Sequence, residues 1–121
     1  MKSEYVLEKK GNFLCFTISG EYDKNEFMTY PKLVAEICET EKTQHVLFNA
    51  LKLRGTNLPA MDRFFLGESV AKILGPLIKL AVVWPGEHIT KFGENVAANR
   101  GSHILVVGNV ETAREWLLRE S

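Results

Sequence analysis

No charge of one sign dominates this sequence: 15 Lys and Arg stand against 15 Asp and Glu, a formal net charge of zero. The basic residues do not gather into a cluster either. Nucleic-acid recognition needs a positive face to displace counterions from phosphates, and attachment to anionic lipid needs a polybasic patch, so neither partner is expected. Long apolar runs are missing as well. The longest strongly apolar stretches, Ile104 to Val107 and Leu80 to Trp84, fall far short of the roughly 20 residues that cross a bilayer, and no membrane insertion is expected. The first residues pass into a strand pattern without the apolar stretch of a secretion signal, which makes a cytoplasmic location the expectation. Cysteine is scarce. Cys15 and Cys38 fall in regular elements and form no disulfide framework. Repeats, low-complexity tracts and internal linkers are absent, and 121 residues suit one domain spanning 1–121.

What the sequence does contain is an alternation of strand and helix signals. Tyr5 to Glu8 reads as a strand, Gly11-Asn12 as a hairpin turn, and Phe13 to Ser19 as a second strand. In that strand Leu14, Phe16 and Ile18 share one face, while Phe13, Cys15, Thr17 and Ser19 share the other. On the less apolar face Cys15 is read as packing, not redox chemistry. Asp23, with Glu26 three residues on, signals a helix start, and Phe27, Tyr30, Val34, Ile37 and Cys38 keep helical spacing. Pro31 should kink this helix or delay its regular part. Val46-Leu47-Phe48 reads as a central strand, followed by a loop from Leu51 to Leu58. A second helix is expected from about Pro59 to Leu74, stopped by Gly75-Pro76, with Met61, Phe65 and Ile73 as its core side. Ile78 to Trp84 is a further strand. A third helix follows, with Ile89, Phe92 and Val96 inward, His88, Lys91, Asn95 and Asn99 as a solvated stripe, and Gly101 near its end. His103 to Val107 is the last strand, and Asn109 caps a final helix that buries Val110, Ala113 and Leu117. The order ββαβαβαβα predicts an α/β fold: a mostly parallel central sheet with an antiparallel N-terminal edge and packed helices.

Three strings carry a resemblance to the SpoIIAA-like family of the STAS superfamily, the sulphate-transporter and anti-sigma-antagonist domains. They are Ile18-Ser19-Gly20-Glu21-Tyr22-Asp23, Met61-Asp62-Arg63-Phe64 with Leu66-Gly67-Glu68, and Phe92-Gly93-Glu94-Asn95-Val96-Ala97 with Asn99-Arg100-Gly101. The resemblance implies a STAS-like domain along nearly the whole chain, and it leaves Asp62, Arg63, Glu68, Glu94, Asn95 and Arg100 as motif residues without a known role. Anti-sigma-factor antagonists carry a phosphorylated Ser at the start of the helix after the central strand. Here the matching stretch reads Arg54-Gly55-Thr56-Asn57-Leu58-Pro59, in which Thr56 alone has a hydroxyl, and use of that switch is not expected.

Few residues announce chemistry. There is no Gly-x-Ser-x-Gly elbow, no Walker or dinucleotide glycine loop, and His45, His88 and His103 lack metal-ligand spacing. No catalytic residue, metal or cofactor is therefore expected, and an enzyme is the weakest of three readings. The candidate anion or ligand site is the loop of Arg54, Thr56 and Asn57 with Trp84, placed at a strand end before a helix N-terminus. The alternative is that Thr56 or Asn57 caps the helix, Arg54 is solvated and Trp84 plugs the core. The candidate interaction surface is Phe64, Leu66 and Gly67, because an interior glycine costs about 1 kcal/mol unless a close backbone approach needs it. The leading expectation is a non-catalytic regulatory module that works through an unknown protein partner or self-association as a homodimer. The alternative is a binder of a small anionic, nucleotide-like or lipid ligand, because STAS-like sheets resemble a lipid-binding architecture.

Overall fold

A computed structural model describes residues 2–119. Strands β1 (Ser3–Lys9) and β2 (Leu14–Glu21) form the expected antiparallel hairpin, closed where the Lys10 N–H donates to the Phe13 carbonyl at 2.9 Å. Strands β3 (His45–Arg54), β4 (Lys79–Val83) and β5 (His103–Val107) continue the sheet in parallel. The strand order follows the chain, β1-β2-β3-β4-β5. Strand β3 outruns its apolar core, and the loop expected from Leu51 is strand as far as Arg54. Its partner β2 recovers register after an irregularity between Thr17 and Ser19 and pairs on to Glu21↔Arg54.

The first helical stretch is two pieces. Asp23 accepts from the Glu26 N–H at 3.1 Å and starts the single turn α1 (Lys24–Phe27). Helix α2 (Tyr30–Glu41) then begins afresh with Pro31 in its first turn, where a missing N–H costs nothing. Helices α3 (Ala60–Leu74), α4 (Phe92–Asn99) and α5 (Val110–Leu118) follow. In a sheet built in chain order, right-handed crossovers put every connecting helix on the same side. That side carries the larger core: Leu14, Phe16 and Ile18 of β2, with Phe27, Tyr30, Val34, Leu74 and Leu80, all buried. Full burial of each such side chain contributes roughly 1.5–3 kcal/mol. Phe13, Leu47, Ala81 and Val83 face the other way, onto Ala113 and Leu117 of α5. The Asn109 side chain caps that helix by accepting from the Thr112 N–H at 2.8 Å.

Two helix faces are oriented differently from expectation. In α3 the residues taken for the core side are the exposed ones: Met61 at 60%, Phe65 at 39% and Ile73 at 38%. Leu66, Val70 and Leu74 pack inward instead. Apolar residues surround most of this helix, so periodicity leaves its rotation open, and the contact at Gly67 fixes it. Phe92, expected in the core, is 42% exposed and stacks on Phe64 with ring centroids 6.5 Å apart.

Candidate functional site

Of the four residues of the candidate anion site, the structure brings Thr56 and Trp84 together and leaves Arg54 and Asn57 apart from them. Arg54 turns back to Glu21, 3.3 Å away on the exposed surface. Thr56 points inward and is buried, its hydroxyl 2.7 Å from Nδ1 of His88 and its carbonyl accepting from the Trp84 indole N–H at 3.0 Å. Asn57 is exposed, and neither it nor Thr56 caps α3, whose N-cap is Pro59 without a side-chain bond. The crevice that commonly holds ligands in open α/β sheets lies where the strand order reverses, and this sheet never reverses. His88, expected in a solvated stripe, is half-buried and bonds the Thr56 hydroxyl, while the Thr56 carbonyl holds the Trp84 indole. A hydroxyl beside an imidazole suits nucleophilic chemistry only where substrate can reach it, and Thr56 is 3% exposed.

The motif strings meet elsewhere, at the crossing of α3 and α4. A Cβ on Gly67 would lie 2.5 Å from the Gly93 carbonyl oxygen, and one on Gly93 would lie 3.0 Å from that of Arg63. The close approach that Gly67 signals is thus made inside the chain, not against a partner. Glu68 of α3 reaches Arg100 at the end of α4 at 3.6 Å, and the Arg100 guanidinium lies 5.5 Å above the Phe64 ring. Phe64 and Leu66 are accordingly half-buried parts of this crossing and of the core beneath it. Asn95 is exposed. The Tyr22 hydroxyl donates to Asp62 at 2.9 Å, and burial together with that carboxylate pushes its pKa above the ordinary tyrosine range.

Beneath the crossing lies a cavity of about 150 Å³, bounded by β3, β4, β5 and helices α1, α2, α3 and α4. Phe48, Leu66, Val70, Leu80 and Trp84 give it apolar walls, so Trp84 is both a core residue and a cavity wall. Four polar side chains share the lining: Arg63, Thr90, Lys91 and Glu94. Lys91, with φ at 65°, turns the chain into α4, and its ammonium bonds Glu94 at 2.8 Å and the Val106 carbonyl. Glu94 also accepts from the Val106 N–H at 3.0 Å, tying α4 to β5. Arg63 donates from Nε to the Leu58 carbonyl at 3.0 Å, while its buried Nη2 has no protein acceptor. Burial lowers the pKa of this guanidinium. Sequence reasoning missed the cavity, because its walls come from elements far apart in the chain. Arg63 and Glu94 were visible only as motif residues, and Lys91 only as a solvated one.

Among the described residues no group of three or more His, Cys, Asp or Glu side chains could hold a metal ion, and no helix is long and apolar enough to cross a membrane. No family model matches the sequence, and no curated protein is similar to it in sequence. Among solved structures, the chain is similar to the crystal structure of an anti-sigma factor antagonist from Mycobacterium paratuberculosis, with a TM-score of 0.64 at 13% identity. That likeness covers 97% of this chain and 95% of the other. The likeness is one of fold: a single α/β domain whose sheet has one antiparallel edge, its other strands running parallel and alternating with helices.

Proposed function

We propose that this domain is a non-catalytic, cytoplasmic regulatory module that takes a small, largely apolar ligand into the cavity beneath α3 and α4. The observation that carries this reading is the cavity itself. Protein interiors pack to crystal-like density, and a partly open pocket of this size with mostly apolar walls lacks contacts that a ligand would supply. The fold shared with an anti-sigma factor antagonist supports a regulatory role over a catalytic one. The phosphoswitch reading finds no support at Thr56, whose hydroxyl is buried against His88. Benzene is the simplest test, since a cavity of about 150 Å³ can accept it in another protein. Benzene should raise the melting temperature and shift the Trp84 indole resonance, and Val70→Phe should remove both effects by filling the space. An unchanged melting temperature in benzene-saturated buffer would refute the reading.

Regulation through protein contact has its own observation. Met61, Phe65, Ile73 and Leu77, on and just beyond α3, are exposed apolar residues, with Leu77 72% exposed. These, rather than the half-buried Phe64 and Leu66 and the buried Gly67, are the candidate contacts for a partner or a second copy. Sedimentation at increasing concentration tests self-association: a lower apparent mass for Phe65→Glu is expected, and equal masses for the two proteins would exclude it.

A further inference from the structure

We infer that the ligand of this cavity is an anion, a carboxylate whose benzene-sized apolar body fills the pocket while Arg63 holds its charged end. The inference rests on the proposed ligand-binding reading and adds the chemistry of the ligand. Three charged side chains line the cavity, Arg63, Lys91 and Glu94. Lys91 and Glu94 neutralise each other across 2.8 Å, and Glu94 is further held by the Val106 N–H. Arg63 has no carboxylate within ion-pair distance among the described residues, and its sequence neighbour Asp62 is taken by Tyr22. Arg63 is therefore the one charged residue of the lining without an ion-pair partner among the described residues.

The position of that charge matters as much as its sign. The Nε bond to the Leu58 carbonyl fixes the guanidinium plane, and Nη2 is left buried without an acceptor. Buried donors in folded proteins are nearly always satisfied, and the unsatisfied one here belongs to a residue of the cavity lining. A guanidinium offers a planar fork that matches a carboxylate, and it binds a charged acceptor more strongly than a neutral one. The volume limits the apolar part. About 150 Å³ accommodates a phenyl ring or a short branched acyl chain, and anything longer must extend out of the opening.

The test compares phenylacetate with its neutral isostere phenylacetamide, titrated into the whole domain and followed by amide resonances at Leu66, Trp84 and Ile104. Phenylacetate should bind about tenfold tighter or more, the worth of one charge-assisted hydrogen bond. Arg63→Gln should bring the two affinities together. The wild-type comparison stands alone if that variant fails to fold. Equal affinities in the wild type would overturn the inference, as would a preference for the amide. If benzene binds and neither phenyl compound does, the anion inference fails while the cavity reading survives. If benzene fails as well, both fall.

Discussion

Replacing Gly67 with alanine sets two opposing effects against each other. On an uncrowded helix the change would stabilise by about 1 kcal/mol, the difference in helix propensity between the two residues. Here the new Cβ would lie 2.5 Å from the Gly93 carbonyl oxygen, with Val96 Cβ at 3.0 Å and Cγ1 at 3.1 Å. The closest obstacle is backbone and cannot rotate away. To reach an ordinary separation of about 3.5 Å, α3 and α4 must part by about 1 Å. Overpacking of this kind costs about 1–3 kcal/mol, and the upper end applies because both helices must move. The net expectation is a loss of about 2 kcal/mol, or about 8 °C in melting temperature for a domain of this size. Thermal and urea denaturation followed by circular dichroism would measure it. Gly86→Ala is the control, since a Cβ there meets nothing within 4 Å, and it should be neutral. A Gly67→Ala domain as stable as the wild type, or more stable, would refute the packing account of α3 and α4.

Two further outcomes follow from buried or bonded charges. Glu26 accepts from the N–H groups of Lys2 and Ser3 and from the Ser3 hydroxyl, and these bonds hold its pKa below the ordinary carboxylate range. The stability they contribute is present above about pH 4.3 and lost as pH falls through the lower folded value, so urea midpoints for Glu26→Gln should change less with acid than those of the wild type; parallel curves would contradict this. Lys79 is buried and donates from Nζ to the carbonyls of Trp116 and Arg119 at 2.7 and 2.9 Å, closing the end of α5. Lys79→Met keeps the aliphatic stem but strands both acceptors, and should lower stability by about 1.5–3 kcal/mol and deprotect α5 in hydrogen exchange, whereas unchanged exchange would refute the capping role.

The parts of the fold legible in the sequence were those set by short-range rules. Leu14, Phe16 and Ile18 alternate with period two, and all three are buried on one face. Asn109 and Asp23 carry cap chemistry within three residues of the groups they satisfy. Pro31 marked the break that became two helices. Rotation of α3 was not legible, because Met61, Phe64, Phe65, Leu66, Val70 and Ile73 leave no single apolar stripe to choose. Gly67 did signal a close approach, but residue propensity cannot say which backbone approaches, and it proved to be Gly93. The candidate site was the least legible part. Thr56 meets His88 and Trp84 across 32 and 28 residues of chain, and a hydroxyl read as an anion ligand or a helix cap is interior. Arg63 shows its character only once Leu58 takes its Nε and no carboxylate reaches Nη2.

The sheet's chain-ordered sequence of strands also bears on how the molecule comes into being. Each strand pairs with the one made just before it, so no pairing waits for a distant segment. Keeping contacts near in sequence lowers the loop entropy paid before each pairing and speeds folding. As the chain leaves the ribosome, the hairpin of β1 and β2 presents an edge that β3 can join, and β4 and β5 extend it in turn. Only α5 reaches back, covering Leu47 and Val83 from the opposite side after every strand is in place. Until it arrives, one face of the sheet stands open to water, so a helix that follows all five strands in the chain is the one that closes the second core.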